Sequence, residues 1–190
     1  MKSILYCFLV FLSANSLFSQ TQEISAFTPA QIQLIKSSVE RKALIFLKEL
    51  EADNYSSAGS REFMLDTFKA QETMRMKMEI VDSPFAINMA LSELERDYDK
   101  ILNKYYNRLK ILLNPEDQKI LIQAQRAWLA YQTLENQLIQ TLLSPQNAGE
   151  MNMSSMSTIS LGLTSDILFK RTHEIGSYYQ MVADTKANGE

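Results

Sequence analysis

The chain has 190 residues, of which 46% are hydrophobic and 22% are charged, and its formal net charge is -3. This composition is typical of one globular domain and argues against collagen-like, disordered and disulfide-rich classes. A small negative charge without a cluster of lysines and arginines argues against a nucleic-acid partner. One cysteine, Cys7, is present, so its position decides whether the mature protein has a thiol.

Residues 1–19 have the pattern of a signal peptide. A single basic residue precedes the apolar run Ile4 to Leu12, and small residues follow it. The run is too short to span a bilayer, so we expect no membrane insertion after cleavage. Cleavage after Ser19, which we prefer, or after Ser16 removes Cys7, and Cys7 lies inside the run, where a lipid-bearing cysteine would not. We therefore expect a cysteine-free, secreted or periplasmic protein.

Two helices are predicted before residue 82. Thr28 is suited to cap the first helix, and Gln31 completes a capping box with Pro29 at the first helical position. Turn-forming residues at 53–60 predict a loop, and the second helix is expected over about 61–81. No strand pattern competes with the helical spacing of apolar residues, so the predicted fold class is all-α.

The sequence predicts a third and a fourth helix, over about 84–113 and 115–143, that form a long antiparallel hairpin. Ser83-Pro84 and Asn114-Pro115 supply the two starts, and the short connection makes the helices antiparallel neighbours about 40 Å long. The apolar positions expected to face inward are Ile87, Leu91, Leu94, Tyr98, Ile101, Tyr105, Leu109 and Leu112 in the third helix, and Leu121, Ala124, Trp128, Tyr131, Leu138 and Leu142 in the fourth.

The last part of the chain predicts a polar loop and a fifth helix. Residues 144–157 are polar and irregular, which predicts a loop. A helix is expected over about 158–181, although Gly162 and Gly176 interrupt it. Residues 182–190 are expected to form a flexible tail. The whole chain therefore predicts a helical bundle of about four to five helices.

Two linked elements in the hairpin carry a family resemblance. Leu102-Asn103-x-x-Tyr106 is followed by Leu121-x-x-Ala124-Gln125-Arg126-Ala127-Trp128-x-x-Tyr131, and this pair resembles the LN-x-x-Y and L-x-x-A-Q-R-A-W-x-x-Y elements of the LprI-type lysozyme inhibitor N-terminal domain family. Residues 171–175 resemble the arginine-led element near the end of that family. The resemblance covers about 85–179, which implies an LprI-like helical domain at 85–181 and leaves 20–84 as a helical extension that we expect to pack on the same domain.

The chain also departs from the family pattern. Ala90 and Asn136 stand where many members have paired cysteines, and Gln132-Thr133 replaces the usual Arg-Asp after the tyrosine. The disulfide that the family implies is therefore absent, and a function that depends on the Arg-Asp pair does not transfer.

The matched residues are interpreted as mainly structural. An aromatic stripe at helical spacing is usually core, which suits Leu102, Tyr106, Trp128 and Tyr131. Asn103 and Gln125 are expected to hydrogen-bond each other or a backbone group across the hairpin, and Arg126 either pairs with a carboxylate, faces solvent or contacts a partner. The motif set is Leu102, Asn103, Tyr106, Ala124, Gln125, Arg126, Trp128 and Tyr131; the sequence assigns no partner-binding residue.

Nothing in the chain indicates catalysis or a cofactor. His173 is the only histidine and is interpreted as a surface residue, and no nucleophile elbow, phosphate-binding loop or zinc motif occurs. Thioethers are soft ligands that suit Cu(I), so Met151, Met153 and Met156 form a candidate copper site, with packing or partner contact as the alternatives. The sequence therefore predicts a protein that is not an enzyme.

The resemblance implies a binding function. We expect an exported protein that occludes the cleft of a lysozyme-type muramidase without turnover, with the segments 144–157 and 114–118 as contact regions. The alternatives are an envelope structural or interaction module with an unrelated partner, and a methionine-based Cu(I)-binding protein.

Overall fold

Five helices account for almost all of the chain that the structure describes. A computed structural model describes residues 26–52, 57–80, 83–149 and 151–188. No strand occurs in these ranges, so the all-α helical bundle is confirmed; the predicted signal peptide lies outside them. The helices are α1 (Pro29–Ala52), α2 (Ala58–Ile80), α3 (Pro84–Leu112), α4 (Pro115–Leu142) and α5 (Met153–Asn188).

The predicted caps start three of these helices. Thr28 N donates to Gln31 Oε1 at 2.8 Å, and Gln31 N donates back to Thr28 Oγ1 at 3.3 Å. Ser83 Oγ accepts from the backbone of α3, and Asn114 Oδ1 accepts two N–H groups of α4 at 3.0 Å. These side chains satisfy backbone donors that a helix start leaves without a partner.

The main core lies around α3, which packs against α5 and α2. Tyr98 and Tyr105 are fully buried. The Tyr98 ring lies 4.1 Å from the Phe169 ring of α5, and the Tyr105 ring lies 4.9 Å from Phe63 of α2 and 5.3 Å from Tyr179 of α5. The inward seam predicted for α3 is confirmed from Leu94 to Leu109; nearer the start of the helix, Ala86 and Ala90 are buried in place of Ile87 and Leu91.

A second, smaller cluster joins α1 to the bundle. Phe27, Ile35 and Val39 are buried together with Ala90 of α3, one of the two positions at which the family resemblance implies a cysteine. The helices of the N-terminal extension thus contact the LprI-like part, and α2 supplies Phe63 to the main core.

Helix α5 begins five residues before the predicted start and runs through both glycines. Gly162 is exposed, and a Cβ built there would meet no atom within 4 Å. At Gly176 a Cβ would lie 2.2 Å from the ring of Phe63. Gly176 therefore allows α2 and α5 to approach, and the helix continues to Asn188, through most of the predicted tail.

The inward face predicted for α4 is partly wrong. Only Leu121 and Ile139 are buried, whereas Tyr131, Leu138 and Leu142 are half exposed or more. Helix α4 carries two apolar stripes at helical spacing, and the stripe that faces the bundle includes Leu121, Trp128 and Ile139.

None of the described helices has the length and apolar character needed to cross a membrane.

Candidate functional site: the groove between α3 and α4

The hairpin does not close along its length. Helices α3 and α4 run antiparallel and border an open groove of about 320 Å³, which we call the hairpin groove. Six of the eight residues in the family motif line this groove, so the two sequence elements meet in space. The lining residues are Asp99, Leu102, Asn103 and Tyr106 of α3, and Ile122, Gln125, Arg126, Trp128, Leu129 and Gln132 of α4.

The floor of the groove is apolar. Leu102 is buried in the main core, and Tyr106 and Trp128 pack against that core while remaining partly exposed. Tyr131 is 50% exposed and belongs to the other stripe of α4, and Ala124 is exposed as well. The motif therefore combines residues that are buried in the core with residues that lie on the surface.

Arg171 of α5 holds the α4 wall of the groove. Its guanidinium lies over the Trp128 ring at 5.8 Å from the centroid, its Nε donates to Gln125 Oε1 at 3.1 Å, and it pairs with Glu174 at 3.0 Å. The Arg171 side chain is 9% exposed. Because a guanidinium can stack and donate hydrogen bonds at once, one residue contacts both Gln125 and Trp128 of α4.

Asn103 and Gln125 were expected to hydrogen-bond each other or a backbone group across the hairpin, and the structure shows neither bond. Asn103 Nδ2 donates to the Asp99 carbonyl at 2.9 Å and to its carboxylate at 3.1 Å, one turn earlier in α3. Gln125 accepts from Arg171 instead. Register across the hairpin is consequently set through α5 and by apolar packing.

Arg126 stands on the edge of the groove and faces solvent. It is exposed, and it forms no ion pair or side-chain hydrogen bond with the residues that the structure describes. Asn103 opposite is also exposed. The groove thus presents a guanidinium and an amide beside an aromatic floor, a composition that suits contact with a protein.

Comparison with family models gives a match to the lysozyme inhibitor LprI over residues 75–183, more than half of the chain. The chain belongs to the LprI lysozyme inhibitor family. The match begins ten residues before Phe85, where the sequence resemblance was placed, and so includes the end of α2. Searches of curated proteins and of solved structures found no match. The family is described as lysozyme inhibitors.

The candidate copper ligands of this LprI protein lie in unequal environments. Met151 is 40% exposed and Met153 is 81% exposed, while Met156 is buried. A copper ion bound by all three residues would require two exposed thioethers and one buried thioether to meet at one point.

His173 is exposed, with its ring 5.7 Å from Phe63, and partial burial lowers its pKa. No group of three His, Cys, Asp or Glu side chains in the described ranges could hold a metal.

A charged network that no sequence pattern indicated joins α2 to α3. Asp66 accepts from the Tyr105 hydroxyl at 2.8 Å and from Lys104 at 2.5 Å, and Glu62 accepts from Arg108 at 2.5 and 3.0 Å. The hydrogen bond from Arg108, with support from Lys104, lowers the pKa of Glu62 to about 2, whereas burial and then Asp66 raise the pKa of Tyr105. These groups all have partners, so the network serves the fold.

Proposed function

We propose that this protein is an exported inhibitor that binds a lysozyme-type muramidase and blocks its cleft without turnover. Membership of the LprI family supports this function. The contact surface that we propose is the hairpin groove, because Arg126 and Asn103 belong to the family motif and are both exposed at its edges. Arginine is enriched where proteins bind each other.

The chemistry of the partner suits a guanidinium. Lysozymes cleave with a pair of carboxyl groups beside the scissile bond. A positively charged side chain held at the edge of the cleft can pair with such a carboxylate and exclude substrate at the same time. We therefore assign Arg126 as the charged contact and Asn103 as a neighbouring polar contact.

The experiment measures muramidase rates on a cell-wall suspension with increasing amounts of the purified protein and with lysozymes of several types. We expect saturable inhibition by one type at least, with the inhibitor recovered intact. Arg126→Ala should weaken inhibition about tenfold or more, the effect of losing a central contact. Arg41→Ala, an exposed arginine of α1 outside the family match, is the matched control and should inhibit like the wild type.

The segments 114–118 and 144–157 remain contact candidates and are tested alongside. They lie at opposite ends of α4, about 40 Å apart, so one cleft engages only one of them. Met153 is 81% exposed in the second segment, and loss of inhibition in Met153→Glu but not in Arg126→Ala would place the contact there. Absence of inhibition with every lysozyme type would instead favour an interaction module with another partner.

A further inference from the structure

The outer face of α4 carries a continuous apolar stripe with no partner among the described residues. Seven residues follow one another at spacings of 4, 3, 4, 3, 4 and 4, and at 3.6 residues per turn they fall within a sector of about 80°. All seven are exposed, including Ile120 at 64%, Leu134 at 65% and Leu142 at 57%. We call this the α4 stripe: Ile120, Ala124, Ala127, Tyr131, Leu134, Leu138 and Leu142.

We propose that the α4 stripe is the interface of a two-fold symmetric homodimer in which the α4 helices pair antiparallel. Such an interface uses the same patch on both copies, so the patch must complement itself when its direction is reversed. The order of side-chain sizes along the stripe meets this condition. The two small residues, Ala124 and Ala127, lie in the first half, and the three leucines lie in the second half.

Antiparallel pairing places small residues against large ones. In the register that overlaps the stripe most fully, Ile120 faces Leu142 of the partner subunit, Ala124 faces Leu138 of the partner subunit and Ala127 faces Leu134 of the partner subunit. Tyr131 then lies beside Tyr131 of the partner subunit at the two-fold axis. Alternation of large and small side chains across facing positions lets two helices interdigitate. Parallel pairing would set alanine against alanine and leave gaps.

The charge on this face also favours a second copy. The stripe itself has no charged residue, and the two charged residues of α4 between positions 120 and 142, Arg126 and Glu135, lie outside it and cancel, although the whole chain has a formal charge of -3. Two copies therefore meet here without the repulsion that their net charge produces elsewhere. The residues that flank the stripe on one side, Gln123, Gln137 and Thr141, are uncharged and can form a polar rim.

The area is sufficient for a modest dimer. The stripe is about 33 Å long, and at these exposures its side chains leave on the order of 500 Å² of apolar surface uncovered on each copy, against about 800 Å² per partner in a standard interface. Flanking polar side chains would supply the remainder. Arg126 lies about 120° round the helix from the stripe, so a dimer leaves both hairpin grooves open.

The first test is the mass of the purified protein by light scattering across the micromolar range. We expect twice the monomer mass at high concentration, and Leu134→Lys should raise the dissociation constant about tenfold or more. The matched control is Leu34→Lys on α1, where the leucine is 59% exposed, and it should dimerise like the wild type. A monomer at all concentrations would overturn the proposal, as would equal dimerisation of the two variants.

A cysteine experiment tests direction and does not depend on a charged variant. The one native cysteine, Cys7, lies in the predicted signal peptide. When Ala124→Cys and Leu138→Cys proteins are mixed and oxidised, an antiparallel pair gives the mixed disulfide. A preponderance of disulfides between two Ala124→Cys chains would mean parallel pairing and would refute the model. Absence of any cross-link in this mixture would refute it as well.

Discussion

Gly176 and Gly162 occupy one helix in opposite surroundings, so replacing each with alanine gives a matched pair. In Gly176→Ala the new Cβ would lie 2.2 to 2.6 Å from three atoms of the Phe63 ring. Phe63 is 5% exposed and cannot move away freely, since its ring also packs on Tyr105. Overpacking of a core costs about 1–3 kcal/mol, and the upper end applies here because the ring is confined. After the gain of about 1 kcal/mol that alanine brings to a helix interior, we expect a net loss of about 2 kcal/mol.

Gly162→Ala should have the opposite effect because nothing lies within 4 Å of the added atom. We expect a gain of about 0.5–1 kcal/mol from helix propensity alone. Thermal and urea denaturation followed by circular dichroism measure both, and for a chain of this length 1 kcal/mol moves the melting temperature by about 2–4 °C.

A third variant tests the cause. If the clash with Phe63 is responsible, Phe63→Leu should cost less in the Gly176→Ala background than alone, which a double-mutant cycle measures as coupling. A Gly176→Ala protein as stable as the wild type would refute the close approach of α2 and α5.

Three further results are expected. Arg171→Gln should lower stability by about 1–3 kcal/mol and shift the emission of Trp128, the only tryptophan, to longer wavelength, whereas Arg126→Ala should leave the emission unchanged. Hydrogen bonds, first from Arg75, lower the pKa of Glu72 from 4.5 to about 2, so the stability that this carboxylate contributes is complete above pH 4.5 and is lost as the pH falls towards 2. The urea midpoint of Glu72→Gln should therefore fall less with acid than the midpoint of the wild type. Parallel curves of midpoint against pH would contradict this. Tyr105→Phe, which removes the hydroxyl bonded to a carboxylate, should cost about 1–3 kcal/mol in the same assay, and an unchanged midpoint would show that this bond contributes nothing.

The helix starts could be predicted because their causes are local. Thr28, Ser83 and Asn114 each bond to N–H groups two or three residues away, and the sequence shows both partners. The seam of α3 was equally visible, because α3 is covered by two helices and its apolar residues repeat at one spacing.

The face of α4 could not be predicted in the same way. Two apolar stripes share this helix, and periodicity alone does not say which one meets the bundle. The choice depends on Arg171, which stacks on Trp128 from a helix 43 residues further along the chain. The requirement for glycine at position 176 is likewise set by Phe63, more than 100 residues earlier. Such pairings depend on tertiary structure, so the sequence signalled the motif but not its partners.

The order of the helices has a consequence for how the protein folds. Helix α5 is the last to be synthesised, yet it contacts α2, α3 and α4. Tyr98 and Tyr105 lack their covering surface until residues near Phe169 and Tyr179 have left the ribosome. Contacts that span so much sequence form late. The main core therefore stays incomplete until α5 has been synthesised, so α3 remains without its covering helix during the translation of α4.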